Sequence, residues 1–305
     1  MKKLVLNLLL ILFMTSCASR PGKIEFINHP DFKAGFTTQN FIYCLPVTVE
    51  NSKMLLDYAS EKGFTFFELR DPNAVLSYEE CKEIAEYARK KNIDVAYANQ
   101  RGLLDPDFWD IFRKGVRNAS AFTGPKTIRA TISGLNFTEN PAKTGLTADE
   151  FAIATDIANK AADEAEKNGL QLVIENGNEI LTESSDSIYG FESVINNVNN
   201  KIAWQFDTAN PFYNKNTYVN PDSVKKFLAK YGYRISYVHL KSSKDYKSQK
   251  ILTQNDLDFS EILKTLSEEN VKLIAIELLA DSSRTTAFEN MEKSLDYLKR
   301  EGFIK

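Results

Sequence analysis

A chain of 305 residues is long enough for two average domains or for one barrel of about 250 residues. With 38 Lys and Arg against 41 Asp and Glu and no extended basic stripe, it offers nothing that favours a nucleic-acid partner. Its composition, 43% hydrophobic and 26% charged, is that of a globular protein able to bury a large core.

The first residues stand apart. Lys2 and Lys3 precede the apolar run LVLNLLLILFM, followed by Thr15-Ser16-Cys17. A basic start, an apolar stretch too short to span a bilayer and small residues at its end describe an export signal. The small residues ending at Cys17 resemble the bacterial lipoprotein signal, which implies removal of residues 1–16, lipidation of Cys17 and a protein held at a membrane on the exported side by lipid alone. Residues 17–38, polar with Pro and Gly, read as a tether and lead-in that includes an incidental loop histidine, His29. The domain is expected over 39–305. Cys44 and Cys81 are expected to be free, buried thiols without a catalytic role.

From residue 40 onward, strand and helix patterns alternate. Strands are expected at 40–49, 64–70, 93–99, 126–132, 170–176, 201–209, 234–241 and 271–280. Between them lie helical patterns, two of which open with capping boxes, Ser77 to Glu80 and Thr147 to Glu150, while Asn220-Pro221 supplies an N-cap and a first-turn proline. Helices are also expected over about 105–120 and 187–199, and Gly169 closes the one that begins after Thr147. The strands are apolar throughout, as in a parallel sheet covered on both faces. An open doubly wound sheet usually carries a Gly-rich turn after its first strand. PVTVENSK has no glycine there, so the pattern predicts a single α/β domain, a closed (β/α)8 TIM barrel.

In such a barrel the carboxyl ends of the strands build the active site. Four consecutive strands end in metal-ligand residue types: Glu175 in LVIENGN, Asp207 in WQFDTAN, His239 in YVHLKSS and Glu277 in IAIELLA, spaced by 32, 32 and 38 residues. Each has a plainer account taken alone: Glu175 paired with Lys241, Asp207 capping the next helix, His239 hydrogen-bonded in the core. Together they are a candidate site for one divalent ion. Three carboxylates and one imidazole suit Mn²⁺, Mg²⁺ or Co²⁺, with Zn²⁺ as the further option. Polar residues at or near other strand ends, Glu68, Asn99, Arg129 and Lys241, are candidates for binding substrate oxygens.

The order Glu, Asp, His, Glu on strands five to eight resembles the xylose isomerase-like sugar isomerase/epimerase superfamily. The fragments LVIEN, FDTAN, VHLK and AIELL, with FFEL at 66–69, each resemble its strand ends, and the likeness covers about residues 40–302. No one fragment is specific; four in the right order are fairly so. The resemblance implies one metal held by Glu175, Asp207, His239 and Glu277. It also implies that Glu175 and Glu277 act as acid and base, exchanging a proton beside a sugar carbonyl through an enediolate. The implied partner is a sugar or polyol, and the implied activity a metal-dependent isomerase or epimerase. The alternative is a non-enzymatic carbohydrate-binding lipoprotein on the same fold. Where the family often has histidines, this chain has Asn176 or Gly177, and Asn210, so substrate contacts differ and Asn210 joins the substrate-facing candidates. A glycosidase would commonly place acids at the ends of strands four and seven, which here offer Arg129 or Thr131, and His239. The abasic-DNA endonuclease relatives need more than two histidines and a basic groove. Substrate identity, stereochemistry and oligomeric state are left open.

Overall fold

The computed structural model describes residues 22–132, 143–177, 179–182, 188–212, 214–253, 257–269 and 271–305. Eight parallel strands close on themselves: β1 (Lys33–Thr37), β2 (Phe66–Arg70), β3 (Asp94–Gly102), β4 (Thr127–Thr131), β5 (Gln171–Glu175), β6 (Ala203–Asp207), β7 (Ile235–Leu240) and β8 (Leu273–Ile276). Each pairs with its neighbours in sequence, and β1 pairs with β8 to complete the ring. The helices α1 (Val49–Lys62), α2 (Tyr78–Lys91), α3 (Phe108–Ala119), α4 (Ala148–Lys167), α5 (Phe191–Asn197), α6 (Pro221–Tyr231), α7 (Phe259–Glu268) and α8 (Arg284–Arg300) follow the strands in turn. The expected (β/α)8 barrel is therefore the fold.

The local signals act as their chemistry requires. Ser77 and Thr147 each accept the backbone N–H three residues on, and Glu80 and Glu150 return the bond, so α2 and α4 start where free N–H groups are satisfied. Asn220 caps α6, with Pro221 in its first turn. α5 is shorter than its pattern, seven residues, and begins at Phe191.

The first strand is not where the apolar run placed it. It is KAGFT at 33–37, inside the stretch read as lead-in, and NFIYCLPVTV at 40–49 begins in a 3-10 turn (Thr38–Phe41) capped by Thr37. Two physical causes explain the error. Gly35 lowers the apolar signal of the true strand, yet it is needed: a Cβ there would lie 2.4 Å from the carbonyl oxygen of Phe66 on β2. Of the misleading apolar residues, Phe41 and Leu45 do bury, but not in a strand: Phe41 packs on Phe288 of α8 at 4.8 Å between ring centres. Ile24, Phe26 and Phe32 also join the core, so the domain packing begins before Lys33. His29 stacks on Phe32. Cys44 is half-buried in the turn that follows β1, Cys81 is fully buried on α2, and neither forms a disulfide.

Side chains alternate along each strand, and the two faces differ in chemistry. On β6, Trp204 and Phe206 point outward to the helices; Trp204 packs against Phe191 of α5 and Phe227 of α6. Inside the barrel, Phe66 and Tyr237 fill one layer among Ala96, Val173, Ala203 and Ala275. The next inward positions toward the carboxyl face, two residues on, are Glu68, Ala98, Glu175, Gln205, His239 and Glu277, all buried. A small apolar plug thus closes the barrel beneath a charged layer. Among the described residues no helix is long and apolar enough to cross a membrane.

Candidate metal centre

Strand register brings the four expected ligands together. Asp207 is the direct partner of His239 across β6 and β7, and Ala275, two residues before Glu277, pairs with His239 from the other side. Glu175 ends β5 beside Gln205 of β6. One ligand atom from each of Glu175, Asp207, His239 and Glu277 lies within 4.8 Å of all the others, and all four residues are buried. Metal–ligand bonds of about 2.0–2.2 Å place ligand atoms roughly 3–4 Å apart, so little adjustment would close this set on an ion.

The histidine stands between Glu68 on one side and Glu277 and Glu175 on the other. Its Nε2 meets Glu68 Oε2 at 2.9 Å, while Nδ1 faces Glu277 Oε2 at 2.9 Å and Glu175 Oε1 at 3.2 Å without hydrogen-bond geometry to either. A fully buried ring nitrogen without a hydrogen-bond partner is costly in a settled core and is what a metal ligand looks like without its ion. Glu68 is itself held by Thr37 Oγ1 at 2.8 Å, with Gln205 Nε2 at 3.5 Å. A carboxylate behind a ligating histidine fixes ring orientation and tautomer.

Three cations share the cluster. Arg129 bonds Glu175 and the carbonyl of Asn99; Arg70 reaches Glu277 at 2.8 Å, Glu68 at 3.5 Å and Glu175 at 4.0 Å; Lys241 Nζ lies 2.9 Å from Glu277 and 3.3 Å from Asp207. Four carboxylates against these three cations leave one negative charge over, which a proton on His239 or a bound cation would offset. Burial alone would lower the His239 pKa, but Glu68 and Glu277 overcome that and hold it well above the usual imidazole range. Burial pushes Glu175 up, and the Arg129 guanidinium more than reverses it. Glu277, likewise opposed by burial, is held well below the carboxylate range by Arg70 and Lys241. Asp207 is raised, chiefly by burial, because Lys241 does not fully offset the nearby Glu277 and Glu175.

The plainer accounts of the sequence divide. Glu175 pairs with Arg129 and Arg70, while Lys241 goes to Asp207 and Glu277. Asp207 does cap the turn after β6, its Oδ1 accepting the N–H groups of Ala209 and Asn210 while Oδ2 faces the cluster. Asn210 donates its amide to the carbonyl of Asn176, and its Oδ1 lies 3.5 Å from Lys241 Nζ. Of the residues expected to touch substrate, Lys241 and Asn210 are in the cluster at its less buried side. Glu68 and Arg129 are wholly buried and committed to His239 and Glu175, and Asn99 is buried with neither side-chain amide atom bonded. Arg70 was missed, although its position two residues after Glu68 puts it on the same inward face. Cys17 lies outside the described residues, as does most of the polar loop after β4.

A parallel barrel with a buried carboxylate–imidazole cluster at its carboxyl face defines a class, the barrels whose strand ends could hold a metal ion. The family model for the xylose isomerase-like TIM barrel matches residues 56–301, and the chain belongs to that family. No curated relative matches it. Among solved structures it is similar to the D-psicose 3-epimerase of Clostridium cellulolyticum H10 with D-tagatose (TM-score 0.67, 13% identity, 88% of this chain and 99% of that one). It is also similar to a sugar phosphate isomerase/epimerase of Parabacteroides distasonis ATCC 8503 (TM-score 0.62, 15% identity, 90% and 96%). A third is a xylose isomerase-like TIM barrel protein of Mycobacterium smegmatis in complex with magnesium (TM-score 0.65, 15% identity, 88% and 97%). At these identities the likeness establishes the fold.

Proposed function

We propose that the protein is a divalent-metal-dependent isomerase or epimerase acting on a sugar or polyol. The observation that carries the reading is the ligand set: four buried donors within 4.8 Å of one another, with His239 Nδ1 lacking a hydrogen-bond partner, at the carboxyl face of the barrel. Glu175, Asp207, His239 and Glu277 would hold the ion, of which Mg²⁺, Mn²⁺ and Co²⁺ fit the donors best. The bound ion supplies polarisation of a carbonyl and its neighbouring hydroxyl. Glu175 and Glu277 sit on different strands of the cluster, so the carboxylate of one would take a proton from the carbon beside the carbonyl while the other, carrying a proton drawn from solvent, would return one to that carbon. Lys241, on the open side of the cluster, orients a substrate oxygen. The family and the epimerases among its structural neighbours support the same reaction class.

The test is deuterium uptake from heavy water into a panel of ketoses, with and without Mg²⁺ or Mn²⁺. Metal-dependent uptake by the wild type that disappears in Glu277→Gln is expected; sugar binding without any exchange would defeat the enzymatic reading. A second reading, a carbohydrate-binding protein on the same barrel, is favoured by one observation: each ligand carboxylate already has a cationic partner in Arg70, Arg129 or Lys241. Binding without exchange is the outcome it expects.

Export and lipidation at Cys17 belong to the same proposal, resting on Lys2, Lys3, the short apolar run and Thr15-Ser16-Cys17. Cys17→Ala should move the protein out of the membrane fraction in a bacterial host; an unchanged distribution would count against the lipid.

A further inference from the structure

Of the eight exposed large apolar side chains among the described residues, five stand on segments between a strand's carboxyl end and the next helix: Tyr43, Val75, Tyr218, Tyr246 and Leu279. Three of these follow β6, β7 and β8, the strands that end in Asp207, His239 and Glu277. Of these, Tyr218 and Tyr246 meet and form a joined apolar surface, the kind that marks a contact site.

The segment after β7 is built to expose one ring. Ser243–Lys244 pairs antiparallel with Lys247–Ser248, leaving Asp245 and Tyr246 as a two-residue turn. Both have positive φ, 51° and 59°. A turn of this kind favours Asn-Gly, because only glycine enters the left-handed region freely. A tyrosine held there is a cost in folding, and such outliers cluster at functional sites. The hairpin is pinned at its base: Gln249 N–H donates to the carbonyl of Ser242, Leu279 N–H donates to the carbonyl of Gln249, and Lys250 pairs with Asp281 at 2.6 Å. Its tip meets the loop after β6, where the Tyr246 and Tyr218 rings are 5.5 Å apart at 79°, and Tyr218 rests on the buried Phe212 at 5.8 Å. Tyr218 and Tyr246 are 38% and 46% exposed. The chain runs from Asp207 through Asn210 to this pair on one side, and from His239 through Lys241 to it on the other.

We propose that Tyr218 and Tyr246 form an outer sugar subsite, and that the substrate is a glycoside or oligosaccharide whose glycosyl residue packs on these rings while its reacting sugar unit lies at the Glu175–Asp207–His239–Glu277 cluster. This rests on the proposed function. Partly exposed tyrosine rings with a polar edge suit the apolar face and peripheral hydroxyls of a pyranose.

The experiment is calorimetric binding, in the presence of Mg²⁺, of fructose and of two glycosyl-fructoses, isomaltulose and lactulose. The wild type should bind the disaccharides about tenfold more tightly than fructose, a ratio within reach of one or two ring contacts. Tyr246→Ala and Tyr218→Ala should bring the ratio to about one. The double variant Asp245→Asn/Tyr246→Gly should also lose the ratio while unfolding at a higher temperature than the wild type, which a purely structural tyrosine would not do. Equal or weaker disaccharide binding by the wild type, or a ratio that survives the tyrosine variants, overturns the subsite and leaves the proposed function standing. Failure to bind fructose and both disaccharides counts against the subsite and the proposed function together.

Discussion

Removing Glu68 would separate the support of the proposed metal site from its proposed ligands. Its Oε2 lies 2.9 Å from His239 Nε2, Thr37 Oγ1 donates to its Oε1 at 2.8 Å, and Arg70 is 3.5 Å away, all among buried groups. In Glu68→Ala the imidazole loses the bond that sets its tautomer, and the four-against-three charge balance loses a carboxylate. Breaking one partner of a buried charged pair costs about 3–5 kcal/mol. Set against about 5–15 kcal/mol for a whole domain, that leaves a folded but weakened barrel. At roughly 2–4 °C per kcal/mol for a chain somewhat shorter than this one, the midpoint should fall by about 6–20 °C. Loss of a partner behind a metal-binding histidine typically lowers affinity about 10–100-fold. Glu68→Gln keeps an acceptor for Nε2–H and discards only the charge, so it should lie between wild type and Glu68→Ala. Titration calorimetry with Mn²⁺, paired with thermal unfolding of the metal-free protein, reads both effects. Wild-type metal affinity in a folded Glu68→Ala would refute the reasoning, and a Gln variant as weak as Ala would assign the effect to charge and not to orientation.

Two further outcomes follow from the same structure. Asp207→Ala should reduce metal content from about one ion per chain to background while the barrel stays folded, because the lost Oδ1 bonds to Ala209 and Asn210 cost only about 1–3 kcal/mol each; full metal occupancy by elemental analysis would remove Asp207 from the ligand set. Burial pushes the Cys81 thiol up to about 12 from an ordinary 9.0. Native protein at pH 8 should therefore leave Cys81 unmodified by iodoacetamide and react there only after unfolding. Because the folded pKa is raised, this group's contribution to stability is full below pH 9 and is lost as the pH climbs toward 12; Cys81→Ala should flatten that alkaline decline in denaturant titrations.

What could be read from the chain alone was whatever depends on short-range spacing. Strand runs recurring at barrel distances gave the closed fold, and the capping residues at 77–80, 147–150 and 220–221 gave helix starts, since both obey local geometry. The clustering of the four strand-end residues was legible for the same reason: parallel strands bring equivalent ends to one face. The first strand was not legible, because Gly35 is chosen by the close approach of Phe66, thirty-one positions away, and not by β propensity. Partner choice was equally hidden. Whether Lys241 pairs with Glu175 or with Asp207 and Glu277, and whether Glu68 faces a substrate or His239, depends on charges brought together only when the barrel closes. Alternation along a strand states which side a residue faces; the ring of eight strands, with its register, decides what it meets there. Tertiary structure alone also turned the imidazole, aiming Nδ1 at the carboxylates and Nε2 at Glu68, because in a buried cluster orientation follows the nearest charges and the sequence does not encode their distances.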